Sequence, residues 1–215
     1  GKPFNPDERI QKIFGQAAQE GVAMSRVIAF DSRQPDAVVY PGLKWESPFI
    51  GNSSTFDPDG YFNLEARTTF HFTADGITPA MAMQMPEGQG SRYQTTYKDS
   101  DGNYLDGSKT YKLTMPPKVP VALFWAVTLY DSWTRSELQS QPFPSISSQK
   151  TPAPTANADG SIDIYFSSTK PKDVAEQNWI RTLPDQGFFA YIRYYGPLKP
   201  FNDKTWVPND VVLVE

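Results

Sequence analysis

The sequence predicts a mainly β protein in which an antiparallel β-sandwich follows one N-terminal α-helix. Helical spacing of apolar residues is confined to the start of the chain, and from about Val38 onward it gives way to short runs rich in β-branched and aromatic residues. The 20 prolines and 14 glycines of this 215-residue chain lie mostly between those runs, where an all-β sandwich needs turns. We therefore divide the chain into a helical segment, residues 1–37, and a β-sandwich domain, residues 38–215.

The N-terminal helix has both a start signal and an amphipathic pattern. Asn5 is suited to cap the helix, Pro6 to occupy its first position, and Glu8 to reach back as the acid of a capping box. Apolar or small residues then recur at helical spacing over about five turns. They are Ile10, Ile13, Phe14, Ala17, Ala18, Gly21, Met24, Ser25 and Ile28.

The segments predicted to form strands combine β-branched and aromatic residues with rough alternation. They are residues 64–73, 93–98, 108–115, 121–129, 161–166, 187–195 and 211–214. Turn-forming residues 99–103 predict that the second and third of these segments pair as a β-hairpin. Methionines 81, 83 and 85 could make a soft metal site, but alternation favours a strand that packs on a sheet or a neighbouring domain.

Composition excludes several classes of function. With 20 basic and 24 acidic residues and a net charge of −4, the chain lacks the concentrated basic face of a nucleic-acid-binding protein. The absence of cysteine excludes disulfides, thiol catalysis and zinc–thiolate sites, and a single histidine, His71, excludes any site that needs two. No apolar run approaches the roughly 20 residues of a transmembrane helix, so we predict no transmembrane segment.

Three long segments resemble one protein family. They are residues 97–115 (YKDSDGNYLDGSKTYKLTM), residues 124–146 (FWAVTLYDSWTRSELQSQPFPSI), and residues 159–206, which contain NWIRTLPDQGFFAYIRYYGPLKPFNDKTW. Together they resemble the C-terminal, DUF1214 portion of the bacterial DUF1254/DUF1214 proteins. The resemblance implies a jelly-roll-like β-sandwich preceded by a helical linker, with an N-terminal DUF1254 domain of the same full-length protein as its partner. It implies no reaction.

Asp131 and Arg135 are the first candidate site residues. An aspartate at the end of a strand and an arginine one turn later can form a bidentate, charge-assisted ion pair. Such a pair most often only shapes the loop that follows it. If the pair is functional instead, Arg135 is expected to bind a carboxylate or phosphate.

A second candidate site centres on Arg193 in an aromatic strand. Strand alternation places Phe189, Tyr191, Arg193 and Tyr195 on one face, and Trp206 follows nearby in sequence. An arginine among aromatic rings either stacks as part of the core or lines a groove for a carbohydrate or a small carboxylate. The core interpretation is the more common outcome, and both stay open at this point.

A third candidate is a calcium site in the acidic turn. Asp99, Asp101 and Asp106, with Asn103, supply oxygen atoms of the kind that Ca²⁺ prefers. The glycine position does not fit an EF-hand loop, and turn chemistry alone accounts for these residues. No other cofactor is predicted.

Two functions remain compatible with the sequence. The preferred one is a ligand-binding or structural module of a larger exported bacterial protein, periplasmic or secreted, because a rich β core carries no recognisable reaction centre. The alternative is a hydrolase whose site forms between this domain and the DUF1254 domain, because ionic side chains lie beside predicted strand ends, where sites often form. Enzyme activity is therefore left undecided by the sequence.

Overall fold

A computed structural model of the chain describes residues 4–57, 60–74 and 76–214. It shows a mainly β protein with two four-stranded sheets and a long N-terminal helix. The helices are α1 (Glu8–Phe30), α2 (Leu64–Thr73), α3 (Pro79–Ala82) and α4 (Lys199–Asn202), with single 3₁₀ turns at Pro35–Ala37, Ile50–Asn52 and Glu176–Asn178. None of the helices in the described ranges has the length and apolar character needed to cross a membrane.

The two sheets are antiparallel except for one strand pair. The first sheet has the strand order β1-β7-β3-β4, formed by β1 (Ser91–Thr96), β7 (Phe188–Pro197), β3 (Val121–Asp131) and β4 (Ser145–Ser147). The second has the order β6-β5-β2-β8, formed by β6 (Trp179–Arg181), β5 (Ile162–Ser167), β2 (Tyr111–Met115) and β8 (Val211–Leu213). Among the strands in the described ranges, β5 and β6 are the one parallel pair.

The main hydrophobic core lies between the two sheets. Strand β7 contributes Ala190, Ile192 and Tyr194 to it, while β2 contributes Leu113 and β5 contributes Phe166, all fully buried. Because both sheets supply side chains to one cluster, they form the two layers of a sandwich. Strands 121–129, 161–166, 187–195 and 211–214 are thus confirmed, with every boundary within two residues of the predicted one.

The outer face of the first sheet is covered by helical and irregular segments. A second hydrophobic cluster joins α2 and α3 to the chain before them, and Tyr93 of β1 packs against it. Its members are Ala37, Phe49, Ile50, Phe56, Ala66, Phe70 and Ala82. This cluster matters because it closes over the outward-facing side chains of β7.

Residues 64–73 were predicted as a strand, and that prediction is wrong. They form α2, whose first turn is capped by Asn63, since its side-chain oxygen accepts a hydrogen bond from the backbone N–H of Ala66 at 2.9 Å. The buried residues Ala66, Thr69 and Phe70 are spaced three and four apart, so one helical stripe faces the core. Packing of that stripe outweighs the β propensity of the segment.

Two other local predictions are also wrong. Segments 93–98 and 108–115 do not pair as a hairpin, because β1 pairs with β7 in the first sheet and β2 pairs with β5 and β8 in the second. The turn at 99–103 therefore connects the two sheets. The methionine segment is not a strand, since Met81 lies in α3 and Met83 ends that helix.

The N-terminal helix is confirmed, with a shifted start. Asp7 is the capping residue instead of Asn5, and its carboxylate accepts a hydrogen bond from the Ile10 N–H at 2.9 Å. Only Ala29 of α1 is fully buried, and the exposed side includes Phe14, Val22 and Met24. The helix is attached to the rest of the fold at its C-terminal end, where Phe30 packs on Phe72, Tyr97 and Phe189.

Candidate functional site

A pocket of about 140 Å³ lies between the outer face of the first sheet and the helices α2 and α3. Strands β1, β3 and β7 supply most of its polar groups, and the covering segments supply most of its apolar wall. The lining residues are Pro48, Phe49, Phe70, Thr73, Ala74, Met81, Tyr93, Tyr130, Tyr191 and Arg193. The prediction that Phe189, Tyr191, Arg193 and Tyr195 share one face of a strand is confirmed. Burial alternates at Tyr191, Arg193 and Tyr195, and the Phe189 ring packs on that of Tyr191 with ring centres 5.9 Å apart.

Among the described residues that line this pocket, Arg193 is the only charged one. Its guanidinium carbon lies 6.0 Å from the ring centre of Tyr93 and 5.8 Å from that of Tyr130, and one terminal nitrogen donates to the Tyr130 hydroxyl. Its Nε is buried and has no hydrogen-bond partner in the described residues. None of the ion pairs found there involves Arg193.

Burial and the aromatic surroundings set the charges of the site. Burial disfavours the cation of Arg193, but the neighbouring hydroxyls of Tyr130 and Tyr195 outweigh that effect, so the pKa of Arg193 is raised and the residue stays charged. Burial raises the pKa of Tyr191 to about 12 and raises the pKa of Tyr130. The tyrosines are therefore neutral near pH 7 and can donate hydrogen bonds to an anion.

The pocket has further hydrogen-bonding capacity beside the guanidinium. The hydroxyls of Thr73 and Tyr191 lie 3.3 Å apart, and the Ser91 hydroxyl donates to the Tyr93 hydroxyl at 3.1 Å. The hydroxyl groups of Thr73, Tyr93 and Tyr191 line a volume whose apolar walls include Phe49, Phe70 and Met81. A few convergent polar groups in an otherwise apolar pocket are typical of small-molecule sites.

Of the predicted ligand-binding residues, Tyr195 lies beside the pocket and Trp206 lies on the other side of the sheet. Tyr195 shares the outer face with Arg193 and stacks on Phe124, with ring centres 4.1 Å apart. Trp206 belongs to the core between the sheets, where it meets the ring of Tyr194 edge-on at 6.0 Å. Grouping Trp206 with Arg193 was therefore wrong. Trp206 packs on Tyr194, and the side chains of Tyr194 and Arg193 point to opposite layers because the two residues are neighbours in β7.

The predicted ion pair between Asp131 and Arg135 does not form. Asp131 accepts hydrogen bonds from the backbone N–H groups of Trp133 at 2.8 Å and Thr134 at 2.6 Å, which is the pattern of an Asx turn. Arg135 instead donates from Nε to the Phe72 carbonyl oxygen at 3.1 Å and lies 4.5 Å over the Phe72 ring. Arg135 thus ties the loop after β3 to α2.

The acidic turn does not assemble the predicted calcium site. Asp99 accepts from the N–H groups of Asp101 at 3.0 Å and Asn103 at 2.9 Å, and Asp106 accepts from the Ser108 N–H at 2.9 Å. Across residues 4–57, 60–74 and 76–214, no three acidic or histidine side chains come close enough to hold a metal ion. Turn formation accounts for these aspartates.

Sequence reasoning missed most of the residues that complete the Arg193 pocket. Phe70 and Thr73 lie in the segment that was predicted as a strand, so their contribution from a covering helix could not be foreseen. Tyr130 was detectable in principle, because alternation along β3 places it on the face opposite the buried Leu129. Its proximity to Arg193 depends on the pairing of β3 with β7, which brings Tyr130 opposite Phe189.

Comparison with known proteins identifies the family and the fold. The family described as "Protein of unknown function (DUF1214)" matches residues 90–199, which include β1, β3, β7 and Arg193. The crystal structure of the VPA0106 protein from Vibrio parahaemolyticus matches all of this chain and 47% of its own, with 20% identity and a TM-score of 0.50, which indicates a shared fold. That of an uncharacterized protein from Burkholderia cenocepacia matches 98% of this chain and 44% of its own, with 13% identity and a TM-score of 0.42.

These comparisons also define how far the likeness extends. The chain spans about half the length of the solved structures that it matches. No curated protein matches it. The family match covers just over half of the chain and contains every strand of the sheet that carries Arg193. This chain is a member of the DUF1214 family.

Proposed function

We propose that this chain is a ligand-binding module of a larger bacterial protein, and that its Arg193 pocket binds a small organic carboxylate. The observation that carries the proposal is a guanidinium held in an aromatic pocket without an acidic partner in the described residues. A partly buried charge of this kind is costly unless it is paired. A carboxylate would supply both the missing charge and an acceptor for the free Nε–H.

The size of the pocket limits the ligand. Its volume of about 140 Å³ is close to that of an engineered protein cavity of about 150 Å³ that holds benzene. Carboxylates between acetate and benzoate in size therefore fit, with the apolar part against Phe70 and Met81. A neutral sugar would leave the guanidinium without a counter-charge, so the carbohydrate prediction is less well matched to this pocket.

We also propose that the module works within an exported protein, periplasmic or secreted, beside a DUF1254 domain. This chain spans about half the length of the similar crystal structures, which supports a longer full-length protein. The exposed apolar side chains of α1 supply a surface on which another domain can pack. A jelly-roll-like connection of the two sheets is part of the same proposal, supported by eight mostly antiparallel strands in two layers.

A hydrolase with a site formed between this domain and a DUF1254 domain is the second candidate function. One observation favours it: burial raises the pKa of the Glu46 carboxyl to about 7, a range suited to a general acid or base. This alternative predicts turnover by the two-domain protein and none after Glu46→Gln. The binding proposal predicts that ligand binding persists in that variant.

Replacing Arg193 by methionine tests the binding proposal directly. We expect the dissociation constant for benzoate, measured by isothermal titration calorimetry, to rise between about 10-fold and 100-fold, because a charge-assisted hydrogen bond contributes about 1.5–3 kcal/mol. Benzyl alcohol, which has the same ring and no charge, should bind the wild-type protein much more weakly. Acetate extends the series to the smallest carboxylate.

Arg181→Met is the matched control, since Arg181 is exposed, belongs to β6 of the second sheet and does not line the pocket. It removes the same charge and should leave benzoate affinity unchanged. Equal affinity for benzoate and benzyl alcohol would contradict the proposal, and so would unchanged affinity in a folded Arg193→Met protein. Melting temperatures without ligand establish that both variants are folded.

A further inference from the structure

A second, larger groove lies at one end of the sandwich, between the loop after β3 and the loop before β7. Its volume is about 600 Å³, within the range of about 300–1,000 Å³ that is usual for ligand sites. Its walls include Asp131, Trp133, Gln139, Asp185 and Gln186. It shares no lining residue with the Arg193 pocket, so the two sites can be tested separately.

Trp133 is the distinctive residue of this groove. Its side chain is 71% exposed, whereas the other four tryptophans, Trp45, Trp125, Trp179 and Trp206, are at most 8% exposed. Tryptophan presents a large apolar surface, and leaving it in water forgoes a substantial gain from burial. An indole in this position is therefore a candidate for contact with a ligand.

The Arg26 side chain of α1 contacts both the Trp133 indole and the backbone of its loop. The Arg26 guanidinium of α1 lies 4.1 Å from the Trp133 ring centre and donates to the carbonyl oxygens of Ser132 and Trp133, each at 3.1 Å. Asp131 fixes the same loop by accepting from the N–H groups of Trp133 and Thr134. The Trp133 loop is thus held in one conformation before a ligand binds, which lowers the entropy lost on binding.

The polar residues of the groove define the chemistry that it can recognise. The side chains of Asp185 and Gln186 are exposed and form no hydrogen bond with any residue that the structure describes, so their donors and acceptors are available. In the part of the chain that the structure describes, the lining residues include two acids, Asp131 and Asp185, and no lysine or arginine. A negatively charged ligand is therefore disfavoured, and a neutral ligand with many hydroxyl groups is favoured.

We propose that the Trp133 groove binds a neutral oligosaccharide. The C–H face of one pyranose ring would stack on the indole, while the Asp185 carboxylate and the Gln186 amide would bond neighbouring hydroxyls. The groove is about four times as large as the Arg193 pocket and has room for more than one sugar ring. This site goes beyond the proposed carboxylate function and does not depend on it.

Tryptophan fluorescence gives a selective test, because Trp133 is the one tryptophan that a small quencher reaches readily. The probes are malto-, cello-, xylo- and chito-oligosaccharides of four to six units, titrated against acrylamide quenching of the full chain. We expect one series to protect the indole from acrylamide in a saturable way. Calorimetry with that series should show at least a tenfold loss of affinity in Trp133→Ala and a smaller loss in Gln186→Ala.

Phe143→Ala is the matched control, since Phe143 is 78% exposed and does not line the groove. It should keep full affinity, and benzoate should not compete with the oligosaccharide. Absence of protection by all four series would overturn the proposal, as would equal affinity in wild type and Trp133→Ala. Protection that depends on protein concentration instead of sugar concentration would also overturn it, since it would show that Trp133 is covered by a second copy.

Discussion

Replacing Gly107 by alanine is expected to lower the free energy of unfolding by about 3 kcal/mol. A Cβ atom at this position would overlap the carbonyl oxygen of Leu183 and would lie 2.9 Å from that of Gln186. Both are backbone atoms, so no side chain can rotate away to make room. The substitution must therefore move either the loop between β1 and β2, which holds Gly107, or the loop between β6 and β7, which holds Leu183 and Gln186.

Those loops are bonded to each other at the same place, which raises the cost of moving them. The Gly107 N–H donates to the Gln186 carbonyl oxygen at 2.8 Å, and the buried Thr182 hydroxyl donates to the Gly107 carbonyl oxygen at 2.7 Å. Separation of the loops would leave these buried groups without partners. The contact also borders the Trp133 groove, because Leu183 and Gln186 line it.

Urea unfolding of wild type and Gly107→Ala at one pH measures the difference. Gly21→Ala is the matched control, since Gly21 lies on the exposed part of α1 and nothing lies within 4 Å of an added Cβ. Alanine is a better helix former than glycine, so the control should be unchanged or up to about 1 kcal/mol more stable. A loss below about 1 kcal/mol in Gly107→Ala would show that the loops separate easily.

Most strands could be predicted from the sequence because their signal is local. In β7, alternation alone places Tyr191 and Arg193 on one face and Ile192 on the other, as the structure confirms. Residues 64–73 show where that signal fails. Their β-branched and aromatic residues suit a strand, and the choice of a helix depends on a capping asparagine and on a core that the rest of the chain builds.

The candidate site was less predictable, because strand pairing decides which side chains meet. Arg193 was identified from its own strand, but its contacts with Tyr93 and Tyr130 depend on β7 lying between β1 and β3. Trp206 was grouped with Arg193 from the sequence, but it packs on Tyr194 in the core on the other side of the sheet. Pairing between distant strands cannot be deduced from spacing along one chain, whereas an Asx turn such as the one at Asp99 depends only on residues close in sequence.

Glu46 is expected to make the protein less stable as the pH rises from about 5 to 8. The backbone of Glu46 extends the edge of the first sheet, where its N–H donates to the carbonyl oxygen of Thr95 at 2.8 Å. Its side chain is largely buried. Burial raises the pKa of its carboxyl to about 7, and the nearby Lys98 only partly offsets this. Lys98 is itself bonded to Asp31, whose charge raises the pKa of Glu46 further.

The direction of the effect follows from proton binding. A glutamate in the unfolded chain has a pKa near 4.5, so between about pH 4.5 and pH 7 the folded protein binds more protons at Glu46 than the unfolded chain does. The contribution of Glu46 to the free energy of unfolding is fully present below pH 4.5, and it is lost as the pH rises through 7. The full difference is on the order of 3 kcal/mol, from about 1.4 kcal/mol for each pH unit between the two pKa values.

Glu46→Gln isolates this contribution, because glutamine has nearly the same shape and does not ionise. The variant should lie within about 1 kcal/mol of wild type at pH 5 and be about 3 kcal/mol more stable at pH 8, measured by urea unfolding at both values. Glu20→Gln, on the exposed part of α1, should give equal stability to wild type at both. An equal gain at pH 5 and pH 8 would assign the effect to packing, and no gain at pH 8 would show that water or a shifted lysine reaches the carboxylate. Only a gain confined to high pH fits a buried carboxyl that is neutral in the folded protein.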